Sequence, residues 1–171
     1  MNANFLCALS CTLKEEGGWS DESHDPGHAT MKGITLATFR EYHPGASKDD
    51  LRHISDADVQ RIYHDGYWKP VRADDLPNGV DLAAFDFAVN SGRSRAAKYL
   101  QRIAGVIPDG VIGPITLAAV NAMDAKTAVN LLCDRRLEFL KGLPTWKFFG
   151  KGWSSRVSRI REAALDLVSL T

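Results

Sequence analysis

Long apolar runs are missing from this chain, and so is any net charge. No stretch approaches the ~20 apolar residues a membrane-spanning helix needs, so no membrane insertion is expected. The apolar patch from Phe5 to Leu9 has no basic residue before it and no small-residue cleavage pattern after it. A conventional signal peptide is therefore not expected, and work outside the cytoplasm would need a separate exit route. Lys and Arg number 21 and Asp and Glu number 21, which leaves no whole-molecule field pointing to nucleic acid. Cysteine is scarce: Cys7, Cys11 and Cys133 make an odd count without framework spacing. That pattern suits reduced thiols made in the cytoplasm and excludes a disulfide scaffold. Cys7 and Cys11, four residues apart, are expected as stacked, core-filling neighbours on a helix. Convincing strand patterns are missing too, which leaves a mainly α fold class.

What is present is enough for a real core. The 171 residues suit one domain, or one domain with a small subdomain, with 44% apolar and 25% charged residues. Leu6, Leu9 and Leu13 fall on one helical stripe whose next position is Glu16, and Gly17-Gly18 then stops the helix. Residues 19 to 32 read as a loop with room for a short hairpin, followed by a helix from about Thr35 to Tyr42. Ser55 with Asp58 predicts a capping box for a helix reaching about Tyr67. Residues 80 to 92, VDLAAFDFAVNSG, are apolar nearly all round and predict the central buried helix. Further helices are expected over 93–104, from Ile115 after the tight loop PDGVIGP, over 125–141 and over 151–170, for a total of seven or eight.

Residues 14 to 35, KEEGGWSDESHDPGHATMKGIT, hold five carboxylates, two histidines and four glycines. A carboxylic acid at the end of an apolar stripe is poorly solvated, the property a general acid needs to protonate a leaving oxygen. Glu16 has that position, with Glu15 its solvated neighbour. By position alone, both remain compatible with ordinary surface carboxylates. Asp25 follows in HDPGHAT, where Pro26-Gly27 supplies a turn. A second carboxylate set opposite a buried acid is what glycoside hydrolysis requires, and the hydroxyl of Thr30 could orient a water. An Asx-turn is the alternative for Asp25, and pattern alone favours it.

The same residues resemble the signature of glycoside hydrolase family 108, the muramidase-type lysozymes of phages, prophages and some secretion systems. Its pattern is Glu-Gly-Gly-aromatic, a polar loop, Asp-Pro-Gly-Gly-x-Thr, then Gly-Ile-Thr. Glu16, Gly17, Gly18 and Trp19 match, as do Asp25, Pro26, Gly27, Thr30, Gly33, Ile34 and Thr35. His28 stands where a second glycine is usual and Met31 where Asn is common. FAVNSG, residues 87–92, looks like the family's buried-helix motif, in which the Asn that faces the cleft is here Asn90. PDGVIGPITLAAV and FFGKGWSSRV are similar to its C-terminal segment, described as peptidoglycan-binding. The Glu-Asp-Thr order also resembles the phage lysozymes of family 24, with Asp25 nine residues after Glu16. That second likeness implies inversion at the anomeric centre.

The resemblance implies a lysozyme-like helical domain over 1–105 and a C-terminal helical, peptidoglycan-binding segment over 106–171, packed as one globule. It implies an N-acetylmuramidase of the endolysin type that cleaves the MurNAc-β-1,4-GlcNAc bond. Glu16 would be the general acid, Asp25 the second carboxylate and Thr30 its helper. Peptidoglycan strands would be the partner, with no cofactor. Made in the cytoplasm, it would reach the wall in the periplasm through a holin-type pore or a secretion system.

Other features carry their own expectations. Trp19 and Tyr67-Trp68 could form a wall on which sugar rings stack. Trp146 and Trp153 suit the core, with Phe148, Phe149 and Trp153 pinning the last helix to the body. His24 and His28 flank Asp25, but Pro-Gly between them spoils the helical spacing a metal would need, and no metal is expected. SDESHD lacks calcium-loop spacing, GKGW lacks the phosphate-loop pattern, and Cys133 reads as packing. The cations of 134–162 form a basic face that could meet an anionic surface or polymer, with a solvated face of amphipathic helices as the commoner reading of such a stretch. Two rival functions remain: a non-catalytic wall-binding module, and a secretion-system accessory protein.

Overall fold

The computed structural model describes residues 3–21 and 29–170. Asp25, with His24 and His28, lies outside the described residues. The chain forms α1 (Ala3–Leu13), a hairpin of β1 (Thr30–Met31) and β2 (Ile34–Thr35), then α2 (Leu36–Tyr42) and α3 (Lys48–Arg52). It continues through α4 (Asp56–Tyr63), one π-helical turn (His64–Trp68) and a short 3-10 turn (Ala73–Asp75). The remainder is α5 (Val80–Ser91), α6 (Arg93–Ile103), α7 (Pro114–Asn121), α8 (Ala125–Lys141) and α9 (Trp146–Ser169). The fold is mainly α and lysozyme-like, with one two-stranded hairpin among the described residues.

Local chemistry sets the helix starts. Thr35 caps α2 by accepting from the Thr38 amide, Ser55 caps α4 from the Asp58 amide, and Asp124 caps α8 from the Thr127 amide. The reciprocal box predicted at Ser55 is present instead at Ser47 and Asp50, before α3. Pro114 opens α7 in the first turn, where its missing N–H costs no hydrogen bond.

Helix α5 is the axis of the core. Its residues from Val80 to Ala88 are all buried, and α1, α6, α8 and α9 pack around it. Phe5, Trp68 and Phe85 meet edge-to-face at its N-terminal half. Gly79 starts α5 at φ +84°, and a Cβ there would lie 2.3 Å from the Ala164 carbonyl oxygen. Close crossing of α9 over the start of α5 therefore requires glycine.

Four expectations are corrected. The buried stripe of α1 is Phe5, Ala8, Leu9 and Thr12, while Leu6 is exposed. The stripe is rotated from the leucine pattern because Phe5 is the larger apolar group, yet its next position is still Glu16. Cys7 is exposed and Cys11 half-buried, so neither fills the core. Helix α9 begins at Trp146, five residues before the expected start at 151. Phe148 and Phe149 are 71% and 55% exposed, so they do not pin it; Trp146, Trp153 and the buried Val157, Ile160 and Ala164 do. Cys133 is buried as expected, and burial pushes its thiol up to about 11, which leaves it inert.

Candidate active site

Helix α1 ends in a turn in which the Glu15 amide donates to the Thr12 carbonyl and the Glu16 amide to Leu13. The turn sends the two adjacent carboxylates to different partners on α9. Glu15 takes both hydrogen bonds of an Arg159 fork, each 2.6 Å. That pairing holds its carboxyl below the usual carboxylate range. Glu15 is thus not the solvated neighbour that the sequence suggested. Glu16 is paired through Oε1 with Arg156 Nη1 at 2.9 Å, its side chain 20% exposed. The expected apolar wall around Glu16 is an arginine.

Arg156 reaches inward as well. It holds the Asp86 carboxylate at 2.8 and 3.1 Å, and Arg136 from α8 holds the same group at 2.7 Å. Burial alone pushes the Asp86 carboxyl up, but the two guanidinium groups outweigh it and hold it below the usual range. Arg136 also donates to the Asn90 side-chain carbonyl at 3.2 Å. One polar chain therefore runs from Glu16 through Arg156, Asp86 and Arg136 to Asn90, tying α1, α9, α5 and α8 together. Of the basic C-terminal face, Arg135, Arg136, Arg156, Arg159 and Arg161 all have internal carboxylate partners. That face is largely spent on holding the fold rather than open to an anionic surface.

On its other side Glu16 meets the hairpin. Lys32 and Gly33 form the tip at φ +51° and +75°, the left-handed pair a tight hairpin demands. Tyr63 donates its hydroxyl to the Lys32 carbonyl at 2.7 Å. Burial, with the Glu16 charge adding to it, pushes the Tyr63 phenol up, so it stays a neutral donor. A Cβ on Gly33 would lie 2.6 Å from the Tyr63 hydroxyl and 2.8 Å from Glu16 Oε2. Alanine there meets both left-handed strain, about 1–2 kcal/mol, and collision with the acid. We expect Gly33→Ala to lose about that much stability and, with Glu16 in the acid role expected above, to slow turnover about 10–100-fold, because displacement of a reacting group is steeply penalised. Gly45, at φ +82° with open space around it, supplies the control. In urea unfolding and rate assays, Gly45→Ala should share the stability loss and keep the rate. Equal rates for both variants would refute the close fit.

The other predicted residues fall as follows. Thr30 is half-buried on β1, opposite Thr35, and its backbone pairs with Ser20 at 2.8 and 3.0 Å. That pairing brings together the two ends of the segment that carries Asp25. Trp19 is half-buried, with the Arg52 guanidinium 5.6 Å from its ring centre. Tyr67 is half-buried, its ring centre 5.7 Å from that of Tyr63 at a tilt of 36°, and lines a cleft of about 200 Å³ with Tyr42 and Arg93. Trp68 is corrected: it is 0% exposed, donates its indole N–H to Asp74 at 2.9 Å, and presents no face to a sugar. Among the described residues, no three His, Cys, Asp or Glu side chains gather as a metal site. Among the described residues, no helix is long and apolar enough to cross a membrane. Sequence reasoning missed Arg156, Asp86 and Arg136; the available signal was Asp86 in the middle of the apolar run LAAFDFAV, where a carboxylate is almost never buried without partners.

Residues 9–92 match the model for Glycosyl hydrolase 108, and residues 95–158 match a "Predicted Peptidoglycan domain". The solved structure of Brucella abortus SagA is 48% identical, with TM-score 0.84, over 96% of this chain and 95% of that one. The chain belongs to glycosyl hydrolase family 108. No curated protein matches it significantly. At the level the family supports, this member is a peptidoglycan hydrolase. Within its 9–92 region lie Glu16, the hairpin tip, Tyr63, Asp86 and Asn90. Arg156, which positions Glu16, comes from the 95–158 region, so the glycosidase part of the chain is completed by an arginine from the peptidoglycan part.

Proposed function

We propose that this family-108 protein is an N-acetylmuramidase that hydrolyses the β-1,4 bond between N-acetylmuramic acid and N-acetylglucosamine. The observation that carries the reading is the state of Glu16: Oε1 is fixed by Arg156, while Oε2 has no hydrogen-bond partner among the described residues and lies at the hairpin tip. A general acid needs one oxygen positioned and the other available for the proton. Glu16 gives its proton to the bridging oxygen as the bond from that oxygen to the muramic anomeric carbon breaks. Arg156 then stabilises the carboxylate that remains.

Asp25 is the second carboxylate, with Thr30 beside it in the sequence motif. It takes a proton from the water that attacks the anomeric carbon. This role rests on the motif and on closure of its segment by the Ser20–Thr30 pairing. A carboxyl separation of about 6.5–9.5 Å goes with inversion and about 5–5.5 Å with retention; the likeness to family 24 supports inversion. Trp19, Tyr67 and Asn90 line the glycan cleft. The same reading places the work on the wall, after release through a holin-type pore or a secretion system.

The test is the chemistry of the new ends. Purified sacculi digested by the protein and reduced with borohydride should yield muramitol. Glucosaminitol would make the protein a glucosaminidase, and 1,6-anhydro ends a lytic transglycosylase. Binding without new ends would make it a wall-binding module.

A further inference from the structure

Helix α6 carries Arg93, Arg95, Lys98 and Arg102 and no acidic residue. Two of these cations stand in its first turn, where the helix dipole disfavours positive charge. For Arg93, no compensating ion pair or hydrogen bond is present among the described residues. Unlike the arginines of α8 and α9, none of the four has a carboxylate within ion-pair distance among the described residues. Arg95 donates to the Ser91 carbonyl and lies 4.5 Å from the Phe139 ring centre, and Arg102 lies over Tyr99. Arg93 and Lys98 have no hydrogen bond among the described residues. All four line a cavity of about 670 Å³, together with Ser91 and Tyr99.

Two residues of the cavity wall link it to the candidate active site. Arg93 also lines the cleft that contains Tyr67, whose ring meets that of Tyr63 at a tilt beside Glu16. Ser91 donates to the side chain of Asn90, the far end of the Glu16 polar chain. A polymer lying across Glu16 therefore has a basic recess beside it. On a peptidoglycan strand the groups next to the scissile bond are the stem peptides, which hang from every muramic residue. Their exposed charges include the α-carboxylate of γ-linked D-glutamate and the carboxylates further along.

We propose that the α6 cavity is a binding site for stem-peptide carboxylates, with Arg93, Lys98 and Arg102 as the contacting groups and Arg95 holding the wall of the recess. The site rests on the reading of the protein as a peptidoglycan hydrolase but does not depend on which glycosidic bond is cut. It makes the enzyme selective for peptide-bearing strands over bare glycan.

The test is titration calorimetry with a soluble stem peptide, L-Ala–γ-D-Glu–diaminopimelate, against the full chain. The triple variant Arg93→Gln/Lys98→Gln/Arg102→Gln, exposed or half-exposed at all three positions, should fold normally and bind at least about tenfold more weakly. Glu16→Gln should bind as wild type does. The same peptide with its carboxylates amidated should not bind. Equal binding by wild type and triple variant, binding of the amidated peptide, no binding of the free peptide, or equal binding of poly-glutamate would each overturn the site. Peptide binding by a wild type that makes no new glycan ends would sink the hydrolase reading alone. New ends without peptide binding would sink the α6 site alone.

Discussion

Replacing Asp86 by alanine will cost about 3–5 kcal/mol of folding stability at neutral pH. The carboxylate is 0% exposed and is the shared anion of two guanidinium groups that are themselves 2% and 9% exposed. Its removal leaves two buried cations, of which only Arg156 retains another carboxylate, Glu16. The cost of breaking one partner of a buried set exceeds the worth of the intact set, because the survivors cannot regain water. A domain of this size has a total stability of only about 5–15 kcal/mol, so the loss should be plain in urea unfolding followed by circular dichroism. Asp86→Leu combined with Arg136→Met should recover most of it, since an apolar pair of similar volume leaves no unpaired charge between α5 and α8. The wild type carries a matching pH signature. Asp86 titrates below the usual carboxylate range when folded, so the unfolded chain binds its proton more readily. Its stabilisation is complete above the unfolded carboxylate pKa and is lost as pH falls through the lower, folded value. Asp86→Ala should flatten that acid limb. A loss under about 1 kcal/mol, or an unchanged acid limb, would show that the network does not hold the helices together.

The part of the fold most readable in the sequence was the part set by local rules. The nearly all-apolar run 80–92 predicted the central helix, which spans Val80–Ser91, and the span 125–141 matches α8 to the residue. Thr35, Ser55 and Asp124 cap where a hydroxyl or carboxylate precedes a periodic segment. Partners brought together by packing were much less readable. The stripe on α1 separated Glu16 from Glu15 in the sequence, but not their partners: Arg156 and Arg159 lie far along the chain on another helix. Trp68 sits beside Tyr67 in sequence, but the π-helical turn points its indole into the core and leaves Tyr67 at the cleft. The basic C-terminal composition suggested a surface, whereas most of its arginines answer acids from α1, α5 and α8. The cations of α6, which have no such partner among the described residues, lie in a segment whose charge does not stand out against its neighbours.

Glu16→Gln will abolish nearly all turnover, lowering kcat by about 10²–10⁴-fold with little change in KM, while Glu15→Gln will leave kcat within a few-fold of wild type. The two residues are adjacent and both are ion-paired, so the choice between them rests on geometry. Glu15 has both oxygens engaged at 2.6 Å by one arginine and is held ionised below the usual range. A carboxylate in that state has no proton to give at neutral pH and no free oxygen to give it from. Glu16 has one oxygen engaged and the other at the hairpin tip. Glutamine keeps the shape of the side chain and a carbonyl for Arg156 but cannot act as an acid. The Glu15 change removes a surface fork whose arginine is 57% exposed; a pair of that kind contributes about 1 kcal/mol or less. Release of soluble fragments from sacculi, measured across substrate concentration, separates kcat from KM for each variant. If Glu15→Gln were the inactive one, α9 would have to release Arg159 in the substrate complex, and the roles of the two carboxylates would be exchanged. If both variants turned over as wild type does, the acid would lie outside this turn and the polar chain from Glu16 to Asn90 would be structural alone.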